Sequence, residues 1–373
     1  MGKKGSAKPS AIDLFSGCGG LSLGLKKAGF EVLAAIELDD VAKETYELNH
    51  PNVHLVHKDI RNIDAGALRR KLKIRKGQLG LLAGCPPCQG FSRMRTKNGE
   101  RAARDPRNAL VEDFLRFVEE FLPQTIMMEN VPALIRHQRF TALLARIRNL
   151  GYEDFVDVLD AANYGVPQRR KRLILLASRV HQPVPAKIGK QITVRQAIGE
   201  LQSVRSSHDG LHRVPENRSA AVMDLIRHIP RNGGSRTDLP KRFRLACHEN
   251  ADGFYDVYGR MSWDDVAPTI TSGCSNPSKG RFLHPEKDRT ITLREAAVLQ
   301  GFPRTYRFNT QHGKERIALM IGNALPPPFI AAHAKLLREA LEKNNPQGNA
   351  SYGERSGGSR KGFKAAAGSG RAG

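Results

Sequence analysis

The sequence predicts an α/β fold, a doubly wound and mostly parallel sheet, with a second, smaller domain set into its later part. Three observations carry that expectation. Short apolar runs alternate with helix-length amphipathic segments from residue 11 to about residue 178, the rhythm of strand–helix–strand units. The first apolar run passes straight into a glycine-rich turn and a helix, the opening unit of a nucleotide-binding sheet. After Ser178 the alternation stops, and residues 179–290 carry many Pro, Gly, Arg, His and Ser with little sustained periodicity before it resumes near Thr292.

Residues 1–10 are small, polar and lysine-bearing and read as a disordered start. Ala11-Ile12-Asp13-Leu14-Phe15 reads as a buried strand running into Ser16-Gly17-Cys18-Gly19-Gly20-Leu21 and a helix through Ala28. The glycines let backbone approach a ligand and place a helix N-terminus beside it. A second strand over 31–36 ends at Glu37, twenty residues beyond Gly17, where a Rossmann-like sheet puts the carboxylate for ribose hydroxyls. The glycine pattern is GxGG rather than GxGxxG, which favours an adenosine-containing ligand over a dinucleotide pyrophosphate. A helix over 41–48, a strand over 53–56 and Asp59-Ile60 follow, with Asp59 placed to accept a hydrogen bond from an adenine amino group.

A basic helix leads to Leu81-Leu82-Ala83-Gly84, a fourth strand, and then to Cys85-Pro86-Pro87-Cys88-Gln89-Gly90-Phe91-Ser92. Strand, rigid corner, thiol and basic arm in that order suit a nucleophile displayed at the carboxyl end of a parallel strand. By themselves these residues are equally compatible with a small buried cysteine. A helix over 109–121, a strand over 125–128 ending in Glu129-Asn130, a helix over 140–150 and strands near 155–159 and 173–176 continue the alternation. Residues 179–290 are expected to be poor in helix and built from short strands and loops. A helix over 292–300, capped by Thr292 and Glu295, then Gly322-Asn323 with its prolines and a long helix to about Lys343 return the chain to the sheet. The expected division is 1–10 disordered, 11–179 a nucleotide-binding sheet domain, 180–290 a second, smaller domain, 291–343 a return to the sheet domain, and 344–373 a disordered basic tail.

Sixty Lys and Arg against 37 Asp and Glu give a formal charge of +23. That excess favours a polyanionic partner, with nucleic acid first. Basic clusters near 69–76, 93–107, 169–172 and 227–244 place much of it outside the tails. Five scattered cysteines (18, 85, 88, 247 and 274) read as reduced thiols in an intracellular chain. No second CxxC and no nearby histidine pair completes a zinc site around Cys85 and Cys88, so no metal is expected. No apolar run is read as a membrane span, and no signal peptide is read at the N-terminus. A cytoplasmic monomer is expected.

The blocks together resemble one family, the DNA (cytosine-5)-methyltransferases of bacterial type, over most of residues 11–342. Asp13-Leu14-Phe15-Ser16-Gly17-Cys18-Gly19-Gly20 is similar to the family's first cofactor block, and Pro87-Cys88-Gln89 with Gly90-Phe91-Ser92 to its nucleophile block. Glu129-Asn130-Val131 resembles the block bearing the catalytic acid, Gln168-Arg169-Arg170-Lys171-Arg172 the Q-x-R-x-R block, and Gly322-Asn323 the last cofactor block. The stretch 260–282, with Pro268-Thr269-Ile270-Thr271, resembles the block that packs the recognition region against the rest. Cys85 stands where many members have Gly and is expected to alter the cofactor wall only slightly, a bystander.

The resemblance implies a Rossmann-like S-adenosylmethionine-dependent methyltransferase sheet with a smaller target-recognition domain. It implies methyl transfer to C5 of a cytosine flipped out of a specific duplex sequence. Cys88 becomes the nucleophile at C6, Glu129 the acid at N3, Arg172 the contact to O2 and Arg170 a brace for the pocket. Phe15, Gly17, Cys18, Gly19, Gly20, Leu21, Glu37, Asp59, Ile60, Pro87 and Asn323 become the cofactor site. Arg93, Arg95, Lys97, Arg101, Arg104 and Arg107 on the arm after Ser92, with Arg169, Lys171 and Arg260, become DNA contacts, and the arm is expected to close over the duplex. Double-stranded DNA is the implied partner, with a cognate restriction endonuclease as a separate protein. A transfer-RNA-type cytosine-5 methyltransferase shares the blocks, but the long basic arm and a recognition segment of about 110 residues favour duplex DNA. A catalytically silent DNA-binding regulator sits poorly with intact Cys88, Glu129 and Arg172. A nicotinamide oxidoreductase leaves the later blocks unexplained.

Overall fold

The computed structural model describes residues 8–87, 110–214, 217–243 and 256–344. Among them seven strands form one sheet: β1 (Ser10–Leu14), β2 (Glu31–Glu37), β3 (His54–His57), β4 (Leu81–Gly84), β5 (Thr125–Asn130), β6 (Glu153–Asp160) and β7 (Lys171–Ser178). Their order is β3-β2-β1-β4-β5-β7-β6. The first five run parallel, and β7 lies antiparallel to both its neighbours. The expected mostly parallel, doubly wound sheet is what the chain forms.

The strand sequences explain the layering. β4 and β5 are buried at every position, so they read as unbroken apolar runs rather than alternations. Successive residues face opposite layers: Ile12, Leu14, Leu82, Ile126 and Met128 join one core, and Ala11, Leu81, Ala83 and Met127 the other. The first core is closed by α3 (Ala65–Lys71), α4 (Leu110–Phe121) and α5 (Gln138–Asn149), with Phe114, Phe117 and Phe121 lining the buried face of α4. The second is closed by α1 (Gly20–Lys27), by Tyr46 of α2 (Asp40–Asn49) and by the last helix, α10 (Pro327–Asn344).

Between 179 and 290 the expected short strands do not appear among the described residues. The chain instead forms α6 (Val194–Ile198), α7 (Ala220–His228), short 3-10 turns and isolated bridges such as Arg260 to Leu283. Side-chain-to-backbone bonds take over the work of ladders here. Arg260 is the clearest case. It was expected at DNA, yet it is fully buried. Its guanidinium donates to the carbonyls of Ile226, Ile229, His284 and Lys287 and to Asp288 Oδ1 at 2.6–3.1 Å. Five acceptors exhaust a guanidinium's five donors, so Arg260 is a structural hub and not a DNA contact. Around it Leu225, Ile226, Ile229, Leu239, Val257, Tyr258 and Leu283 form a small core of their own.

The chain returns through α8 (Leu293–Leu299) and α9 (Gly313–Asn323) before α10. Thr292 and Glu295 make the expected capping box on α8. The stretch Gly313–Asn344 reaches membrane-spanning length and apolarity, which sequence reading did not anticipate, but 72% of its apolar 18-residue span is buried inside the fold. Phe329, Ile330, Ala334 and Leu337 pack it against the sheet, the behaviour of a core helix.

Candidate active site

Strand register brings the sequence blocks to one edge. Leu14 pairs with Gly84 and Gly84 with Met128. Glu129 and Asn130 extend β5 by two residues beside Ile174 and Leu173 of β7. Arg172 enters β7 opposite Leu159. The carboxyl ends of β1, β4 and β5 and the amino end of β7 therefore meet at the crevice where strand order reverses, between β1 and β4.

On the cofactor side, the loop after β1 turns on left-handed residues. Phe15, Gly17 and Gly19 have φ of 64°, 53° and 94°. Gly17 N–H donates to Glu37 Oε2 at 2.6 Å, while Leu38 and Asp39 N–H donate to Glu37 Oε1 at 2.9 and 2.8 Å. Glu37 thus ties the end of β2 to the glycine loop. Burial raises its carboxyl pKa, and these three backbone donors oppose the rise. Cys18 and Leu21 are buried in the core. Burial pushes the Cys18 thiol up to about 12, so it packs as a neutral group. Tyr306 Oη donates to the Cys18 carbonyl at 2.6 Å, and His50 Nε2 lies 3.1 Å from both the Gly19 carbonyl and Tyr306 Oη. This clamp on the loop comes from residues far away in sequence.

Gly20 presses against the Leu325 carbonyl, whereas nothing lies within 4 Å of the position a Gly17 Cβ would take. The loop accordingly faces open space at Gly17, beside Phe15 and Glu37. Asp59 is paired with Arg61, whose guanidinium approaches both carboxylate oxygens, and Ile60 is buried. Asn323 is exposed at the end of α9, next to Gly322, whose carbonyl accepts from Arg170.

On the reaction side, Glu129 is buried with Arg172 Nε 2.9 Å from its Oε1. Its Oε1 nevertheless accepts no hydrogen bond. Cys85 Sγ donates to Oε2 at 3.0 Å. This corrects the reading of Cys85 as a bystander: the strand-end register places it against the expected acid. Asn130 Nδ2 donates to the Pro86 carbonyl at 2.9 Å and Asn130 Oδ1 accepts from Val131 N–H at 2.8 Å, so its amide fixes the proline turn to the end of β5. Pro87 is half-buried beyond that turn.

Arg170 is buried and donates to the Ile270 and Gly322 carbonyls, both at 3.0 Å. Burial and then the neighbouring Arg172 lower its pKa, opposed by Glu129. Gln168 donates to the Leu299 carbonyl and Gln300 Oε1 and accepts from Ile270 N–H. Together these bonds dock 267–271 and the returning helices onto the β6–β7 turn, as the block around Thr269 and Ile270 suggested. Arg169 and Lys171 alternate outward and are exposed. Arg169 lies 3.5 Å from Asp265.

Cys88, Gln89 and the basic arm (Arg93, Arg95, Lys97, Arg101, Arg104 and Arg107) lie outside the described residues, as does the tail beyond Asn344. Two contributors escaped the sequence reading. Cys85 and Asn130 find their partners 44 residues away, and only the register of β4 against β5 brings them together. Asp13 is the other buried acid at this edge. Its Oδ2 accepts from Ser22 at 2.6 Å, its Oδ1 has no partner, and burial pushes its carboxyl up to about 7.

A seven-stranded mixed sheet with this order and a glycine loop at the switch point is the Rossmann-like fold of the S-adenosylmethionine-dependent methyltransferases. The chain belongs to the C-5 cytosine-specific DNA methylase family, whose sequence model matches residues 10–339. It is 35% identical to the Type II methylase M.HgiDII of Herpetosiphon aurantiacus, over 89% of this chain and 96% of that one. It is 32% identical to the Type II methyltransferase M.XorII of Xanthomonas oryzae pv. oryzae, over 90% and 86%. Among solved structures, a prophage-encoded DNA modification methyltransferase of Escherichia coli superposes with a TM-score of 0.67 at 24% identity, covering 90% of this chain and all of that one. Entamoeba histolytica EhMeth superposes at 0.63 with 16% identity, over 90% and 99%. Those two likenesses bear on the fold.

Proposed function

We propose that this protein transfers a methyl group from S-adenosylmethionine to C5 of a cytosine extruded from a specific duplex DNA sequence, through a covalent bond between Cys88 and C6. The observation that carries this is the Glu129 Oε1 atom, buried without a hydrogen bond yet 2.9 Å from Arg172 Nε. A buried carboxylate oxygen held only by an ion pair keeps a lone pair for a further donor such as a protonated ring nitrogen, and an acid beside a guanidinium matches the N3 and O2 edge of cytosine.

The open space at Gly17, with the half-buried Phe15 ring and the Glu37 carboxylate around it, fits an adenosyl group with its ribose. When bound, S-adenosylmethionine supplies an electrophilic methyl on a sulfonium sulfur. Phe15, Asp59 and Ile60 hold its adenine, Glu37 its ribose, and the Gly17–Gly20 backbone, Cys18, Leu21, Pro87 and Asn323 the methionine end and its wall.

The protein's residues then act on the base. The Cys88 thiolate adds to C6, and the ring electrons move toward N3 and O2. Glu129 shares a proton with N3 through Oε1 and Arg172 donates to O2, so the developing charge is met at both atoms. Arg170 keeps the β7 entry fixed beneath them. C5, now enamine-like, takes the methyl; its proton leaves to solvent or a nearby base, and the C6–S bond breaks to restore Cys88. Arg169 and Lys171, exposed at the same edge, meet phosphates, while the segment 180–290 reads bases in the major groove. A cognate endonuclease, by likeness to Type II relatives, would be a separate protein.

The test is to incubate the protein with labelled S-adenosylmethionine and unmethylated duplex DNA and map 5-methylcytosine by sequencing. Label fixed at C5 within one recurring sequence is expected. Label in RNA alone, or on another atom, overturns the proposal.

A further inference from the structure

Resting on that reading of Glu129, we propose that Cys85 is a positioning residue for the same reaction: its thiol holds Glu129 Oε2 and thereby presents Oε1 to the substrate base. The geometry is direct. Cys85 Sγ donates to Oε2 at 3.0 Å, Arg172 Nε sits 2.9 Å from Oε1, and Oε1 has no hydrogen bond of its own. The two oxygens are differentiated. One is tied to the end of β4, and the other is left open beside the guanidinium.

Among the described residues three charged groups bear on Cys85: Glu129 from β5, Arg172 from β7, and Arg170 just before β7 begins. Desolvation and then the Glu129 charge raise the thiol pKa well above its ordinary value, more than the two arginines lower it. The thiol therefore stays protonated across the working range and acts as a fixed donor, not as a second nucleophile. A carboxylate side chain rotates about a broad terminal torsion, so without that donor nothing else among the described residues pins Oε2.

The experiment compares the full-length protein with Cys85→Ala, Cys85→Ser and Glu129→Gln in single-turnover methyl transfer to saturating unmethylated DNA, from pH 5.5 to 9, with cofactor affinity measured alongside. Losing one neutral donor to a charged acceptor is expected to slow C85A about fivefold. Cofactor affinity should be unchanged. The pH profile of C85A should differ from that of the wild type, because the donor to the carboxylate is gone. C85S restores both rate and profile, since a hydroxyl donates from the same place. C85A with wild-type rate and profile, while E129Q is inactive, overturns the role of Cys85 alone. C85A and C85S slowed equally with an unmoved profile would reduce Cys85 to packing and also overturn it. E129Q with wild-type rate and profile would instead remove the reading of Glu129 on which the inference stands.

Discussion

The Asn130 side chain spans two strands: its Nδ2 donates to the Pro86 carbonyl at 2.9 Å from the end of β5, two residues before the expected nucleophile. Pro86 is buried, and a proline turn has few backbone donors of its own. The amide is therefore the tether that decides where the chain leaves β4. Asn130→Ala is expected to cost about 1–3 kcal/mol of stability, the range for a buried carbonyl left unpaired. Covalent capture should suffer more than stability, because small misplacements of a nucleophile are costly. Trapping on 5-fluorocytosine DNA should slow at least about tenfold in N130A while cofactor affinity holds. Wild-type trapping by a folded N130A would remove the tether from the mechanism.

Arg260 supports a second prediction. A fully buried guanidinium holding four carbonyls and Asp288 cannot be truncated without orphaning them all. Arg260→Ala should lower stability by about 3–5 kcal/mol, seen as an early transition in thermal unfolding. The folded fraction should keep the wild-type salt dependence of DNA binding, since no phosphate contact is lost. A stable R260A with a shallower salt slope would return Arg260 to the DNA.

These two residues mark where the sequence stops being legible. Leu81–Gly84 and Thr125–Asn130 were readable because short apolar stretches ending in Gly or a charged residue, between helix-length segments, suit doubly covered strands. The glycine loop and Glu37 were readable because their spacing is set within a single strand–helix–strand unit. The direction of β7 was not, because an apolar run reads the same either way along a sheet. Arg260 was misread because arginine is seldom fully buried, and its acceptors lie 24–34 residues away. Cys85 was misread because its meaning depends on a β4–β5 register that no local pattern encodes.

Asp13 makes stability depend on pH. Burial, reinforced by the Glu37 charge and opposed by Ser22, lifts its carboxyl from 3.8 to about 7. The folded chain keeps a proton that the unfolded chain releases. The resulting stabilisation is complete below the unfolded value and is lost as pH rises to the folded one, an effect of a few kcal/mol. Asp13→Asn, which cannot ionise, should remove that dependence. The wild-type melting temperature should fall between pH 5 and pH 8 relative to D13N. Parallel curves for the two proteins over that interval would mean that Asp13 does not titrate there.

Gly17 and Gly20, three residues apart, separate binding from folding. A Cβ on Gly20 would collide with the Leu325 carbonyl, a backbone atom that cannot swing aside. Gly20→Ala should therefore force the loop and α10 apart, with a stability loss of about 2 kcal/mol or more. A Cβ on Gly17 meets nothing within 4 Å, and its φ of +53° carries only the left-handed penalty, about 1–2 kcal/mol. The space that methyl would enter is the space assigned to the adenosyl group of the cofactor. Gly17→Ala should thus fold, lose little melting temperature and bind S-adenosylmethionine at least about tenfold more weakly by titration calorimetry. Should G17A bind as tightly as the wild type, the open space beside Phe15 and Glu37 belongs to something other than the cofactor.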